Sequence, residues 1–165
     1  MNIRTLERRE VLPLGREELF TFFQAPENLA KITPPRMGFR IITPLPIEMK
    51  VGTIIDYTIK VLGIPVRWRT LITTYHVPSR FVDEQLKGPY AFWHHTHTFL
   101  PVEGGTEMTD TVRYILPLGI LGELAHVLIV RRQLEEIFDF RASAIVRLLE
   151  SGPRKSSGVI AGGNP

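Results

Sequence analysis

Two imidazoles spaced two residues apart, in the run Trp93-His94-His95-Thr96-His97-Thr98-Phe99, carry the plainest chemistry in this chain. In an extended strand alternate side chains share a face, so Trp93, His95, His97 and Phe99 are expected on one side and His94 on the other, toward solvent. Aromatic residues at both ends of a face with imidazoles between them suit a pocket wall, where apolar enclosure is combined with a few convergent polar groups. Histidine also titrates near neutral pH and can serve as a general acid or base. The same spacing can offer two nitrogens to one metal ion, but zinc sites take at least three protein ligands. His76, Glu84, His94 and Asp110 are the candidates for the third; no recognisable motif places any of them, so no metal ligand is assigned.

A carboxylate partner is offered by the segment Glu107–Leu116. Its alternation groups Met108, Asp110, Val112 and Tyr114 against Thr109, Thr111, Arg113 and Ile115. With the first set facing inward, Asp110 would come within about 5 Å of the histidines across neighbouring strands. Such a carboxylate can fix an imidazole tautomer for proton transfer, which makes His95, His97 and Asp110 the catalytic candidates if the protein is an enzyme. A His–Asp pair equally satisfies buried polar groups or anchors a bound molecule. Anchoring is the reading adopted here, with catalysis as its alternative.

Other strands extend the same face. Tyr57 groups with Ile55 and Ile59, and its hydroxyl, if buried, needs a ligand, a water or the backbone as partner. Trp68 groups with Thr70 and Ile72, leaving Arg67 and Arg69 outside, either solvated or as a clamp for an anion. In Arg80–Leu86, Phe81, Asp83 and Gln85 oppose Val82, Glu84 and Leu86; neither face is cleanly apolar, so the register of this strand stays open. The expected ligand-facing set is Tyr57, Trp68, Trp93 and Tyr114 as enclosure, with Gln85, His95, His97 and Asp110 setting orientation.

The elements that must position these residues follow from periodicity. Ile3–Leu12 reads as a strand, Arg16–Gln24 as a helix with Leu19, Phe20, Phe22 and Phe23 on a wide apolar face, and 26–32 as a second short helix stopped by Thr33-Pro34-Pro35. Strands are expected at Phe39–Thr43, Thr53–Leu62, Pro65–Val77, Arg80–Leu86, Phe92–Leu100 and Glu107–Leu116, and their short connections imply an antiparallel meander. A helical period then runs from about Gly119 to Glu150, while 151–165 has little to bury and reads as a disordered tail. Residues 1–150 are expected to form one domain.

Composition narrows the classes. Hydrophobic residues make up 44% of the 165 and charged residues 22%, which is ordinary for a globular protein. The absence of cysteine excludes disulfides and thiol catalysis, and with no apolar leader at the N-terminus a cytoplasmic setting is expected. The formal charge of +3 is scattered over pairs such as Arg8/Arg9 and Arg131/Arg132, so no nucleic-acid partner is expected. Ile115–Val130 is apolar but holds Pro117, Glu123 and His126, so no integral membrane segment is expected. That stretch could instead form a patch for another protein. No Gly-x-Ser-x-Gly, Gly-x-Gly-x-x-Gly or P-loop pattern occurs.

Strand, two short helices, an antiparallel run and one long C-terminal helix is an order that resembles the START-like, or SRPBCC, superfamily: polyketide cyclase/dehydrase-like proteins, Bet v 1 allergens and coenzyme Q-binding proteins. The details are similar to its bacterial cyclase/dehydrase branch: Pro26-Glu27-Asn28-Leu29, Ile32-Thr33-Pro34-Pro35, Gly63-Ile64-Pro65, Phe81-Val82-Asp83-Glu84-Gln85, Gly88-Pro89-Tyr90, Trp93-x-His95-x-His97-x-Phe99 and Gly104-Gly105-Thr106, with Asp110 and Tyr114. The resemblance implies an α+β helix-grip fold, a curved sheet of six to seven strands wrapped around the long helix. It further implies a cavity for a hydrophobic or amphipathic molecule such as a lipid, a quinone or an aromatic polyketide-like compound, and no general dependence on a metal; no cofactor is expected. The superfamily holds carriers, sensors and enzymes, so cyclase/dehydrase activity is the implied alternative.

Overall fold

Alternation with a period of two runs through most of the chain, and it folds into one antiparallel sheet. The computed structural model describes residues 2–61, 63–117 and 130–151. Its strands are β1 (Arg4–Leu12), β2 (Arg40–Ile41), β3 (Ile54–Val61), β4 (Ile64–His76), β5 (Arg80–Lys87), β6 (Phe92–Val102) and β7 (Gly105–Ile115). Their order across the sheet is β1-β7-β6-β5-β4-β3-β2. From β2 to β7 each strand therefore lies beside its successor, while β1 pairs with β7 from the far end of the chain. Exposed and part-buried residues alternate along β1 as far as buried Leu12, the pattern of a strand with one face toward a core.

Two local features depart from the expected elements for visible reasons. β2 is shorter than Phe39–Thr43 because the N–H groups of Ile42 and Thr43 both donate to the Asp56 carbonyl, at 2.7 and 3.2 Å, which ends the regular ladder. The β6–β7 turn places Gly104 and Gly105 at φ of 86° and 151°. A Cβ on Gly105 would lie 2.0 Å from the Leu12 carbonyl oxygen, so only glycine lets this turn meet the end of β1.

Between β1 and β2 the chain is helical. α1 (Arg16–Gln24) buries Leu19, Phe20 and Phe23, and Glu17 and Glu18 occupy its first turn, where carboxylates favour the positive helix end. The expected second helix forms as a 3₁₀ turn, Pro26–Ala30, with proline at its start. Asn28 Nδ2 donates to the Phe22 carbonyl at 2.9 Å and pins this turn to α1. A further 3₁₀ turn, Pro35–Met37, ends on left-handed Gly38, and Arg36 within it pairs with Glu136.

That partner lies on α2 (Arg131–Ser151), which packs on the inner face of the sheet. Leu134, Phe138, Ala144 and Ile145 are buried, and Arg141 is buried with them. The expected start near Gly119 and the patch at Ile115–Val130 fall largely on residues 118–129, outside the described residues, as does 152–165. Ser151 ends α2 instead of starting a tail. No helix among the described residues is long and apolar enough to cross a membrane. Among the described residues two apolar clusters form the core. One joins Leu12, Phe20, Phe23, Phe81, Phe99 and Met108 to Ala144 and Ile145; the other joins Val112 and Tyr114 to Val130, Leu134 and Phe138.

Candidate functional site

The register of three strands places four ionisable side chains in a square. β6 runs between β5 and β7, so each inward residue on it has cross-strand neighbours on both sides. Asp83 stands opposite His95, and Asp110 stands opposite His97, one row along. Because the two acids are offset by a row, each reaches both rings. Asp110 Oδ1 lies 2.9 Å from His95 Nε2 and 2.7 Å from His97 Nδ1. Asp83 Oδ2 lies 3.0 Å from His97 Nε2 and 3.4 Å from His95 Nδ1. Every ring nitrogen of the pair thus faces a carboxylate oxygen.

Packing holds the square in place. The two imidazole centroids are 3.8 Å apart, and His97 stacks on Phe81 at 4.1 Å. From α2, Phe138 meets His95 edge-on at 6.0 Å, and Arg141 brings Nη1 to 3.7 Å from Asp110 Oδ2. His95, His97 and Asp110 are all buried. Burial alone would lower the His97 pKa, but the Asp110 and Asp83 carboxylates outweigh it and hold it above the ordinary histidine value. His95 goes the other way, lowered by burial and by the charge of His97. Burial would raise Asp110; the charge of His97, bonds from both rings and Arg141 hold it well below the usual carboxylate range. Asp83 is lowered for the same kind of reason. One site therefore contains an imidazole biased toward protonation beside one biased against it.

The square opens on a cavity of about 160 Å³. Asp83, His95 and His97 line it and Asp110 does not, so Asp110 supports the rings from outside the wall. Aromatic side chains form much of the enclosure. Trp68 lies 5.9 Å from Tyr57, stacked, 5.2 Å from Trp93 and 5.6 Å from Tyr90. Phe23, Met37, Ile55 and Ile72 continue the apolar lining, and Leu134, Phe138 and Arg141 contribute from α2. Burial pushes the phenols of Tyr57 and Tyr90 above their ordinary range, so both are neutral hydroxyls. Trp68 Nε1 and Arg141 Nε are buried without a hydrogen-bond partner among the described residues.

Of the residues singled out from the sequence, Tyr57, Trp68, Trp93, His95 and His97 line this cavity. Three do not. Gln85 turns to its own loop, donating from Nε2 to the Tyr90 carbonyl at 2.7 Å and accepting from the Tyr90 N–H at 3.3 Å. It replaces ladder bonds where β5 and β6 stop pairing beyond Glu84 and His94. Tyr114 is buried within the second apolar cluster, and Asp110 acts through the histidines. Arg67 and Arg69 lie on the outer face, both on Asp56, with Arg69 bidentate at 2.9 and 2.8 Å, which leaves no inward clamp. Sequence reasoning missed Asp83 and Arg141. The signal for Arg141 was a charge inside an apolar helical stripe; for Asp83 it was the mixed strand face whose register stayed open.

No protein-family model and no curated protein matches the sequence. Solved structures do match the fold. Protein TTHA0849 from Thermus thermophilus superposes with a TM-score of 0.67 at 17% identity, over 90% of this chain and 100% of that one. CV1439 from Chromobacterium violaceum gives 0.68 at 16%, over 90% and 98%. Ara h 8.0201 gives 0.56 at 13%, over 88% and 99%. The chain has the helix-grip fold. Within that fold α2 is the gripped helix, and the square of Asp83, His95, His97 and Asp110 faces it from the middle of the sheet.

Proposed function

We propose that this helix-grip protein binds a hydrophobic or amphipathic small molecule, of the lipid, quinone or aromatic polyketide-like kind, in the cavity between the sheet and α2. The observation that carries the reading is the combination of an aromatic wall with two unpartnered buried donors, Trp68 Nε1 and Arg141 Nε, on the same cavity. An apolar body would pack on Trp68, Trp93 and Tyr57, and an acceptor group on it would satisfy donors that are otherwise costly to bury. The imidazoles would orient that group. A chain without cysteine needs no oxidising compartment, which supports a cytoplasmic setting.

The direct test is titration with 1-aminoanthracene, a neutral fluorescent aromatic, alongside native mass spectrometry of freshly purified protein. The expected result is saturable binding of one probe per chain, weakened by Trp93→Ala and unaffected by Arg67→Ala on the outer face. Absence of saturable binding, or equal effects of both variants, would overturn the reading.

A second reading has its own support in the unlike biases of His95 and His97. In a cyclase/dehydrase-type reaction a neutral imidazole could take a proton from a carbon beside a carbonyl, and an imidazolium could return one to the hydroxyl that leaves as water. If a trial substrate is turned over, replacing either histidine should lower turnover by roughly 10²-fold or more. An unchanged rate removes them from the chemistry.

A further inference from the structure

We propose that Asp83, His95 and His97 form a binding site for one divalent first-row transition ion of the zinc class, with an open coordination position directed into the cavity. Their donor atoms, Asp83 Oδ2, His95 Nδ1 and His97 Nε2, all lie within 4.8 Å of one another. The two edges that meet at Asp83 measure 3.0 and 3.4 Å. Zinc bonds of about 2.0–2.1 Å in a tetrahedron set ligand atoms about 3.3–3.4 Å apart, so the two edges at Asp83 already stand near that spacing, and the two rings would close on the ion along the third. The sequence supplied two ligands; the fold supplies the third from β5.

The surroundings match what such a site requires. A metal-ligating histidine generally donates its remaining N–H to a carboxylate, which fixes the tautomer and orients the ring. Asp110 Oδ1 sits 2.9 and 2.7 Å from the two nitrogens that point away from Asp83, and Arg141 steadies its other oxygen. With those nitrogens carrying the protons, His95 Nε2 bonds to Asp110 while His97 Nδ1 lies beside the same carboxylate without a formed hydrogen bond, and the other two nitrogens offer lone pairs on the Asp83 side. On the Asp83 side those acceptors face one another across 3.0 and 3.4 Å, a gap filled either by a proton that His97 Nε2 donates to Asp83 or by a shared cation. Filling all four contacts with protons instead would require two imidazolium rings 3.8 Å apart, an arrangement opposed by their like charges. All three ligands line the cavity, so a fourth ligand would come from there, and an oxygen-bearing molecule would bind ion and apolar wall together.

The inference stands apart from the small-molecule reading, because it is measured with the ion alone, while aminoanthracene binding is measured in chelator. Protein stripped with EDTA and freed of it is titrated with Co²⁺, followed by visible absorption, and then with Zn²⁺ in competition. The expected result is uptake of one Co²⁺ per chain with the intense bands of a four-coordinate ion, bleached by Zn²⁺. Asp83→Asn and His97→Ala should abolish it, Asp110→Asn should weaken it roughly 10–100-fold, and His94→Ala on the outer face should leave it unchanged. Asp83→Asn is nearly isosteric, and circular dichroism checks that it folds. If it does not fold, the weakening by Asp110→Asn decides. No saturable uptake, or uptake equal in wild type and the folded ligand variants, overturns the site.

Discussion

The two ends of β6 use the same inward face in opposite ways. At Phe99 the space is filled: the ring meets Phe20 at 5.3 Å, Phe23 at 5.8 Å and Phe81 at 6.1 Å, and Phe99 is 2% exposed. From Trp93 to His97 the face borders a cavity, charged groups are held by one another, and donors lack partners. The difference separates residues that hold the fold from residues that, on the proposed reading, serve a ligand. Burial of a well-packed ring is stabilising in itself; a buried ionic square is held only because each member neutralises another.

The largest effect should come from the filled end. Phe99→Ala is expected to cost about 3–5 kcal/mol of unfolding free energy in urea denaturation. Trp93→Ala, beside the cavity, should cost clearly less while weakening aminoanthracene binding. Equal losses of stability would erase the distinction between the two ends.

Next comes the square itself. Asp110→Asn removes the anion that both rings and Arg141 face, and should cost about 3 kcal/mol, since breaking a buried ionic contact leaves the partner charges uncompensated. Acidity tests the same group without mutation. The Asp110 pKa is depressed in the folded state, so its stabilisation is complete above the unfolded value of 3.8 and is lost as pH falls from there toward the folded one. For His97 the sign is reversed. Its raised pKa stabilises the fold fully below 6.5 and the gain is lost as pH rises through the folded value. His97 feels Asp83, Asp110, His95 and, through Asp110, Arg141. Denaturation midpoints measured in EDTA across pH 5–9 should therefore fall on the alkaline side in wild type, and less so in His97→Gln. Parallel curves would show that His97 does not gain a proton on folding.

Smaller effects sharpen the contrast. Gln85→Ala should lose about 1 kcal/mol, the worth of a hydrogen-bonded loop contact, with aminoanthracene affinity unchanged. Asp56→Asn, an acid under two arginines on the outer face, should barely move the denaturation midpoint, because solvent screens exposed pairs. A shift as large as that of Asp110→Asn would mean that burial is not what gives the inner square its strength.

How much of this was legible depends on the strand. On β6 and β7 alternation is unbroken, so the inward placement of His95, His97 and Asp110 followed from counting by two, and the register then brought them together. β4 was equally clear, with Trp68, Thr70 and Ile72 buried as expected. β5 was not, because its pairing with β4 shifts register between Arg69 and Thr70 and again between Ile72 and Thr74. Such irregularities depend on backbone geometry, which residue types alone do not encode. Across β6, Asp83 stands opposite His95, whereas Gln85, two residues on, lies beyond the last β5–β6 pair and serves the loop. Arg141 was hidden differently: periodicity put it on the buried face of the helix, but only tertiary packing set it against Asp110.

The pairing of β1 with β7 has a consequence for how the chain is made. Every other strand finds its neighbour within one hairpin, whereas Arg4 waits for Tyr114 and Leu12 for Thr106. During synthesis β1 emerges before the other strands of its sheet, and its ladder groups stay unsatisfied until β7 has left the ribosome. Arg4, Glu7, Arg8, Arg9 and Glu10 lie along it. Charges of both signs on a waiting strand discourage capture by another nascent copy. The residues of β1 thus act as their own chaperone until β7 arrives to claim them.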